Sequence, residues 1–126
     1  MKATTIILAL GSNTHQHKNI SMARKELRQM LPDIVFSKNK RTKPIKIESE
    51  PFLNCVGIAT TTLTQKQLQS MIRGVERMAG DKEDDHRHGI VNLDIDLLAF
   101  GNLRLHEEDW HREYIKELLK EINYNI

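Results

Sequence analysis

One cysteine, Cys55, stands in a chain of 126 residues, and a single thiol excludes an internal disulfide. The absence of such a framework fits a reducing compartment. Its neighbours, FLNCVGIA, read as a strand, so Cys55 is expected as a buried free thiol. Charge of one sign is also missing. Acidic and basic side chains nearly cancel to a formal +2, so no global field points to nucleic acid or a membrane surface. Aromatic residues are sparse: one tryptophan, two tyrosines and three phenylalanines. A sheet that binds RNA needs stacking platforms, and no pair of aromatics falls on the candidate strand face. No apolar run reaches membrane-spanning length. The start, MKATTIILALGSN, has one lysine, a short apolar run and no small-residue cleavage site, so it does not read as a signal peptide. There is no internal repeat, heptad array or low-complexity tail. The expectation is a single cytoplasmic domain spanning 1–126, a monomer or weak homodimer, with small-molecule partners and neither nucleic acid nor membrane.

Apolar periodicity sets out the elements. Thr4 to Leu10 is a short apolar run closed by Gly11-Ser12-Asn13, which predicts a first strand. From Asn19 to Leu31, Ile20, Ala23, Leu27 and Met30 recur at helical steps until Pro32 stops them. Ile34 to Thr42 predicts a second strand with a basic end, and Pro44 to Pro51 a loop. Phe52 to Leu63, rich in branched residues, predicts a long strand. Thr64 and Gln67 have capping-box spacing, and Gly80 is placed to end the helix between them. Asp81 to Gly89 reads as a polar loop, Asn92 to Phe100 as the next strand and Leu103 to Leu105 as a short one. A last helix is expected over Asp109 to Ile122, with Trp110, Tyr114, Leu118 and Ile122 in one stripe and Asp109 as its cap. This order predicts an α+β fold: a ferredoxin-like sheet with two main helices on one face, plus a C-terminal helix.

NLDIDLLAFG, from Asn92 to Gly101, is the informative run. Side chains alternate along a strand, so Leu93, Ile95 and Leu97 face one way and Asp94 and Asp96 the other. The two aspartates then sit roughly 6 to 7 Å apart along one face. Like charges that close repel unless a cation sits between them, and paired carboxylates are good ligands for Mg²⁺ with a nucleotide's phosphates. A solvated sheet face explains the same spacing equally well. Aspartate is a poor strand former, and two in an otherwise apolar segment tilt the reading towards a site.

LALGSN near the start, FLN at Phe52 to Asn54 and LDIDLLAFG at Leu93 to Gly101 together resemble the bacterial 6-hydroxymethyl-7,8-dihydropterin pyrophosphokinases of folate biosynthesis. The resemblance covers most of the chain, in order. It implies a ferredoxin-like enzyme that moves the pyrophosphoryl group of ATP onto the hydroxymethyl of a reduced pterin and releases AMP. It implies that Asp94 and Asp96 hold two Mg²⁺ ions. It places Asn54 on the pterin edge, where an amide offers both donor and acceptor; the bland alternative is a polar residue pinning a strand end. It places Thr42, Lys43 and Ile45 around the pterin, and Leu10, Gly11 and Ser12 where the first strand opens towards substrate. The segment REYIKELLKEI resembles the family's late helix, which implies Arg112 on the ATP side and Tyr114 stacked on the pterin. A solvated helix charge and an amphipathic stripe account for the same two residues.

The departures lie in GDKEDDHRHGIVNLD, Gly80 to Asp94, where the family is basic. Asp81 and Glu83 stand where arginines are expected, His88 where a tryptophan is common, and Val91 in place of a catalytic arginine. Arg87 is the arginine retained, a catalytic candidate by resemblance. The segment from Gly101 to Arg112 is shortened and lacks the family's proline-histidine pair, leaving His106 and His111 as substitutes. Phosphoryl transfer needs cationic clamps as well as metal. Lys38, Lys40, Arg41, Lys43, Arg87 and the histidines are the available replacements. The alternative is a homologue that kept the fold and lost the chemistry, acting as a ligand-binding or oligomerising scaffold. His86, Arg87 and His88 beside Asp84 and Asp85 match no standard metal-ligand spacing and read as a solvated loop.

Overall fold

The structure is a computed structural model that describes residues 2–43 and 50–123. Strand β1 (Thr4–Ser12) leads into helix α1 (Gln16–Met30). Two short strands, β2 (Val35–Phe36) and β3 (Lys40–Thr42), precede the long β4 (Phe52–Thr61). Helix α2 (Gln65–Met78), the single turn α3 (Glu83–His86) and strand β5 (Asp94–Phe100) follow. The chain closes with β6 (Leu103–Arg104), a 3₁₀ turn (Asp109–His111) and α4 (Glu113–Glu121). The sheet order is β2-β4-β1-β5-β6, with β3 also on β4, and every pairing is antiparallel. The fold is therefore α+β. No helix among the described residues is long and apolar enough to cross a membrane.

Alternation along the central strands feeds two cores. Ile6, Leu8 and Leu10 of β1 and Leu93, Ile95 and Leu97 pack with Ile20, Ala23 and Leu27 of α1 and with Leu68, Ile72 and Val75 of α2. Ile7, Val56 and Leu98 pack instead with Trp110 and with Ile115, Leu118 and Leu119 of α4. Each Val, Leu or Ile among these, taken fully out of water, contributes about 1.5–3 kcal/mol. Cys55 lies in the first core, and burial pushes its thiol up to about 11, so it is an inert core residue.

Local signals formed as the chemistry requires. The Thr64 hydroxyl accepts from Gln67 N–H while the Gln67 side chain accepts from Thr64 N–H, closing the capping box that starts α2. Gly80 takes φ +73 just beyond the end of α2. Four expectations need correction. The strand expected over Ile34 to Thr42 breaks in two, because the Ser37 hydroxyl accepts Val56 N–H in place of a backbone carbonyl. The strand expected from Asn92 begins at Asp94, since the Asn92 carbonyl is taken by the Asn19 side chain. The polar loop contains α3. The last helix is interrupted at Arg112, which is extended with ψ 134, so Asp109 caps nothing; its carboxylate accepts from Arg112 Nε at 2.9 Å.

A β-bulge shapes the end of β5. Ile7 pairs with Ala99 and Leu8 with Leu97, which leaves Leu98 as the extra residue. Its carbonyl accepts both Leu105 N–H at 2.9 Å and the Trp110 indole N–H at 3.1 Å. The bulge thus pins the connector that carries His106 and Asp109 against β5.

Candidate functional site

At the ends of β1 and β5 lies a cavity of about 320 Å³. Leu10 and Gly11 of β1, Thr42 at the end of β3 and Lys43 just after it, Phe52 and Asn54 of β4, and Asp94 and Asp96 of β5 line it. Asp109, Arg112, Tyr114 and Ile115 close it from the C-terminal segment. Seven candidates named from the sequence therefore meet in one place: Asp94, Asp96, Asn54, Thr42, Lys43, Arg112 and Tyr114. Ile45 lies outside the described residues. Ser12 is buried beside the cavity, its hydroxyl donating to the Thr14 carbonyl.

Register explains the convergence. Gly11 of β1 pairs with Asn54 on one side and Asp94 on the other, and Ala9 pairs with Asp96. A Cβ on Gly11 would stand 3.2 Å from Asn54 Oδ1, so the small residue leaves room for the amide. Asn54 Nδ2 donates to Thr42 Oγ1 at 2.6 Å and to the Lys40 carbonyl at 3.2 Å. Its donor thus ties β3 to β4, while its oxygen remains turned towards Gly11. Asn54 therefore pins a strand end, and it lines the cavity.

The carboxylates carry an electrostatic cost. Burial first, then surrounding acids, hold Asp94 above the ordinary carboxylate range, with His86 pulling the other way. Burial and the charge of Asp94 push Asp96 up to about 7. Among the described residues neither carboxylate accepts a hydrogen bond; His106 Nε2 is 3.9 Å from Asp96 Oδ1. A half-buried pair of acids without donors is the donor set a hard dication fits. Tyr114 is also raised, mainly by burial, and stays a neutral ring at the cavity wall.

The basic candidates divide. Arg112 reaches the cavity but is bound to Asp109. Arg87 is 76% exposed, outside the cavity, with Nη2 2.7 Å from Asp84. Lys40 pairs with Glu117, and Arg41 Nη1 donates to Gln16 at 3.4 Å. His88 is exposed on the same loop as Arg87. Val91 is a core residue whose N–H donates to Asn13 Oδ1 at 2.7 Å.

Sequence reasoning missed a second cleft on the far side of Asp94. Arg73, Glu76 and Arg77 of α2 line it with Asp81, Glu83 and His86. Asp81 Oδ1 accepts Leu93 N–H at 3.2 Å and Glu76 Oε2 accepts Ile95 N–H at 2.8 Å, so two acids hold the start of β5. His86 Nε2 lies 2.8 Å from Asp81 Oδ2. Asp81 is thus a structural anchor as well as an acidic replacement. The helical spacing of Arg73 and Arg77 on α2 was the available signal. His106 and Asp109 had none, because their approach to Asp96 depends on the bulge at Leu98.

An α+β domain with an acid-lined cavity at the ends of its central strands is the class defined so far. Residues 7–124 match the family model of 7,8-dihydro-6-hydroxymethylpterin-pyrophosphokinase, and the chain belongs to that family. It is 27% identical over 124 residues to an Arabidopsis thaliana folate synthesis bifunctional protein, covering 87% of this chain and 25% of that one. It is 31% identical over 123 residues to the mitochondrial folate synthesis bifunctional protein of the same plant, covering 87% and 22%. The chain spans about a quarter of the length of these curated relatives. It is a divergent member of the family.

Proposed function

We propose that the chain transfers the pyrophosphoryl group of ATP to the hydroxymethyl oxygen of 6-hydroxymethyl-7,8-dihydropterin. The hydroxyl oxygen bonds to the β-phosphorus and loses its proton, and the bond from that phosphorus to the α-phosphate bridge breaks, releasing AMP. The observation that carries the reading is the meeting of Asp94, Asp96, Asn54 and Tyr114 in one cavity within a family-matched chain. The strand order, with α1 and α2 sharing one core, is read as the ferredoxin-like arrangement.

Asp94 and Asp96 would hold Mg²⁺, which when bound neutralises phosphate charge. Asn54 Oδ1 accepts from a pterin N–H, and the Tyr114 ring provides a flat apolar wall. Thr42 and Lys43 border the same pocket, and Arg112 faces it from the start of α4. Arg73 and Arg77 of α2 border the cleft beside Asp94 and stand nearest in role to the missing phosphate clamps.

The competing reading, a binding or oligomerising domain without fast chemistry, rests on Arg87 and Lys40, which are committed to ion pairs elsewhere. Purified protein with ATP, Mg²⁺ and 6-hydroxymethyl-7,8-dihydropterin separates the two. Pterin-dependent AMP release is expected. No AMP under conditions where an active family member turns over would sink the enzyme reading.

A further inference from the structure

The connector after β6 brings two more metal-ligating side chains to Asp96. One oxygen of Asp96, one oxygen of Asp109 and a ring nitrogen of His106 all lie within 4.8 Å of one another. They come from three places in the fold: β5, the turn after β6 and the 3₁₀ turn. His106 Nε2 and Asp96 Oδ1, at 3.9 Å, are too far apart for a hydrogen bond. Ligands about 2.1 Å from a shared ion stand about 3.0–3.4 Å from one another. Closing that pair onto an ion asks for less than about an ångström of side-chain movement.

A second observation points the same way. Asp94 and Asp96 stand half-buried on one face of β5, and neither accepts a hydrogen bond from a described residue. Repulsion of this kind is offset by a bound cation. Arg112 Nε holds Asp109 Oδ1 at 2.9 Å, the outer hydrogen bond that orients a ligating carboxylate, and no described residue hydrogen-bonds its other oxygen. The imidazole decides the class of ion. Mg²⁺ takes oxygen ligands and resists dehydration, whereas a mixed carboxylate and imidazole set suits Mn²⁺, Co²⁺ and Zn²⁺.

We propose that Asp96, His106 and Asp109 form a site for a first-row transition-metal dication, which the imidazole makes selective over Mg²⁺. The site shares Asp96 with the proposed Mg²⁺ pair, but it rests on the cluster and not on turnover.

The test uses the full chain without an affinity tag, titrated with CoCl₂ by equilibrium dialysis and visible absorption, and with MgCl₂ in parallel. His106 has φ +52, a conformation that asparagine tolerates, so His106→Asn is the informative variant. The expected result is a loss of Co²⁺ affinity of about tenfold or more, with a changed visible band, and under about twofold change for Mg²⁺. Asp109→Asn is expected to weaken both ions. An unchanged Co²⁺ affinity and spectrum in His106→Asn, or an equal loss for both ions, overturns the proposal. Thermal unfolding of the metal-free variants checks that they fold. Should His106→Asn not fold, the imidazole resonances of the unaltered chain decide. A Co²⁺ shift at His106 supports the site, and its absence overturns it. A chain that binds Co²⁺ through His106 yet releases no AMP keeps this inference and loses the proposed function.

Discussion

Asp96 is a residue whose placement costs the metal-free fold stability. Burial and Asp94 raise its carboxyl to about 7 from an ordinary value of 3.8. An acid raised in the folded state keeps its proton there while the unfolded chain has lost it. Stability therefore falls as pH climbs from about 4 through 7. Above that window the ionised group lies half-buried without a hydrogen-bond donor among the described residues. Asp96→Asn removes the charge at nearly constant shape. In metal-free buffer at pH 8 its melting temperature is expected to rise by roughly 3–6 °C, the response of a domain of this size to about 1 kcal/mol. Loss of ATP binding in Mg²⁺ should accompany the gain. A lower melting temperature would mean that the carboxylate is already satisfied in the free protein. The aspartate pair was legible from strand alternation alone, because orientation along a strand is local. The contacts of Asn54 were legible only in part: a polar residue at a strand end was foreseeable, its bond to Thr42 was not, since that depends on which strand lies beside β4.

At the scale of elements, the junction of α2, α3 and β5 is held by side chains that the sequence reading treated as mere losses of positive charge. Asp81 receives Leu93 N–H and pairs with His86, so the acidic loop is folded back onto the strand start. Burial lowers the His86 pKa, but the hydrogen bond and charge of Asp81 raise it more, and the net shift is upward. A base raised in the folded state contributes stability that is complete below its unfolded value near 6.5. That contribution is lost as pH rises through the higher folded value. The ring is about a third exposed, so solvent screens the pair to about 0.5–1 kcal/mol. His86→Gln is therefore expected to be more destabilised, relative to the unaltered chain, at pH 5.5 than at pH 9 in urea titrations. An equal deficit at both pH values would show that the pair contributes nothing through charge. The α2 capping box and Gly80 turn were readable because each depends on residues within one turn. The breaks at Ser37 and Arg112 were not. The first depends on a hydroxyl meeting Val56 across the sheet, the second on Trp110 reaching the bulged carbonyl of Leu98.

For the whole molecule, a nearly neutral chain conceals a local imbalance. Its cavity sets Asp94, Asp96 and Asp109 against Lys43 and Arg112, and Arg112 is already bound to Asp109. Composition could not show this, because net charge carries no information about which residues the sheet order brings together. β1 does that work, placing Asn54 and Asp94 on opposite sides of Gly11. A polyphosphate entering alone meets three carboxylates against Lys43 and an Arg112 already bound to Asp109, and is repelled. The same polyphosphate carrying a dication brings the charge the carboxylates lack. Thermal shift measurements with ATP in excess EDTA, and with ATP and Mg²⁺, separate these cases. ATP in EDTA is expected to move the melting temperature by less than about 1 °C, since a ligand that does not bind the folded state adds no stability. ATP with Mg²⁺ at about a hundred times its dissociation constant should raise it by roughly 8–16 °C, the effect of about 2.7 kcal/mol of linkage. The Mg²⁺-dependent gain should vanish when Asp94 and Asp96 are both replaced by asparagine. Equal stabilisation with and without Mg²⁺ would instead place the nucleotide on cationic side chains such as Arg73 and Arg77, away from the paired aspartates.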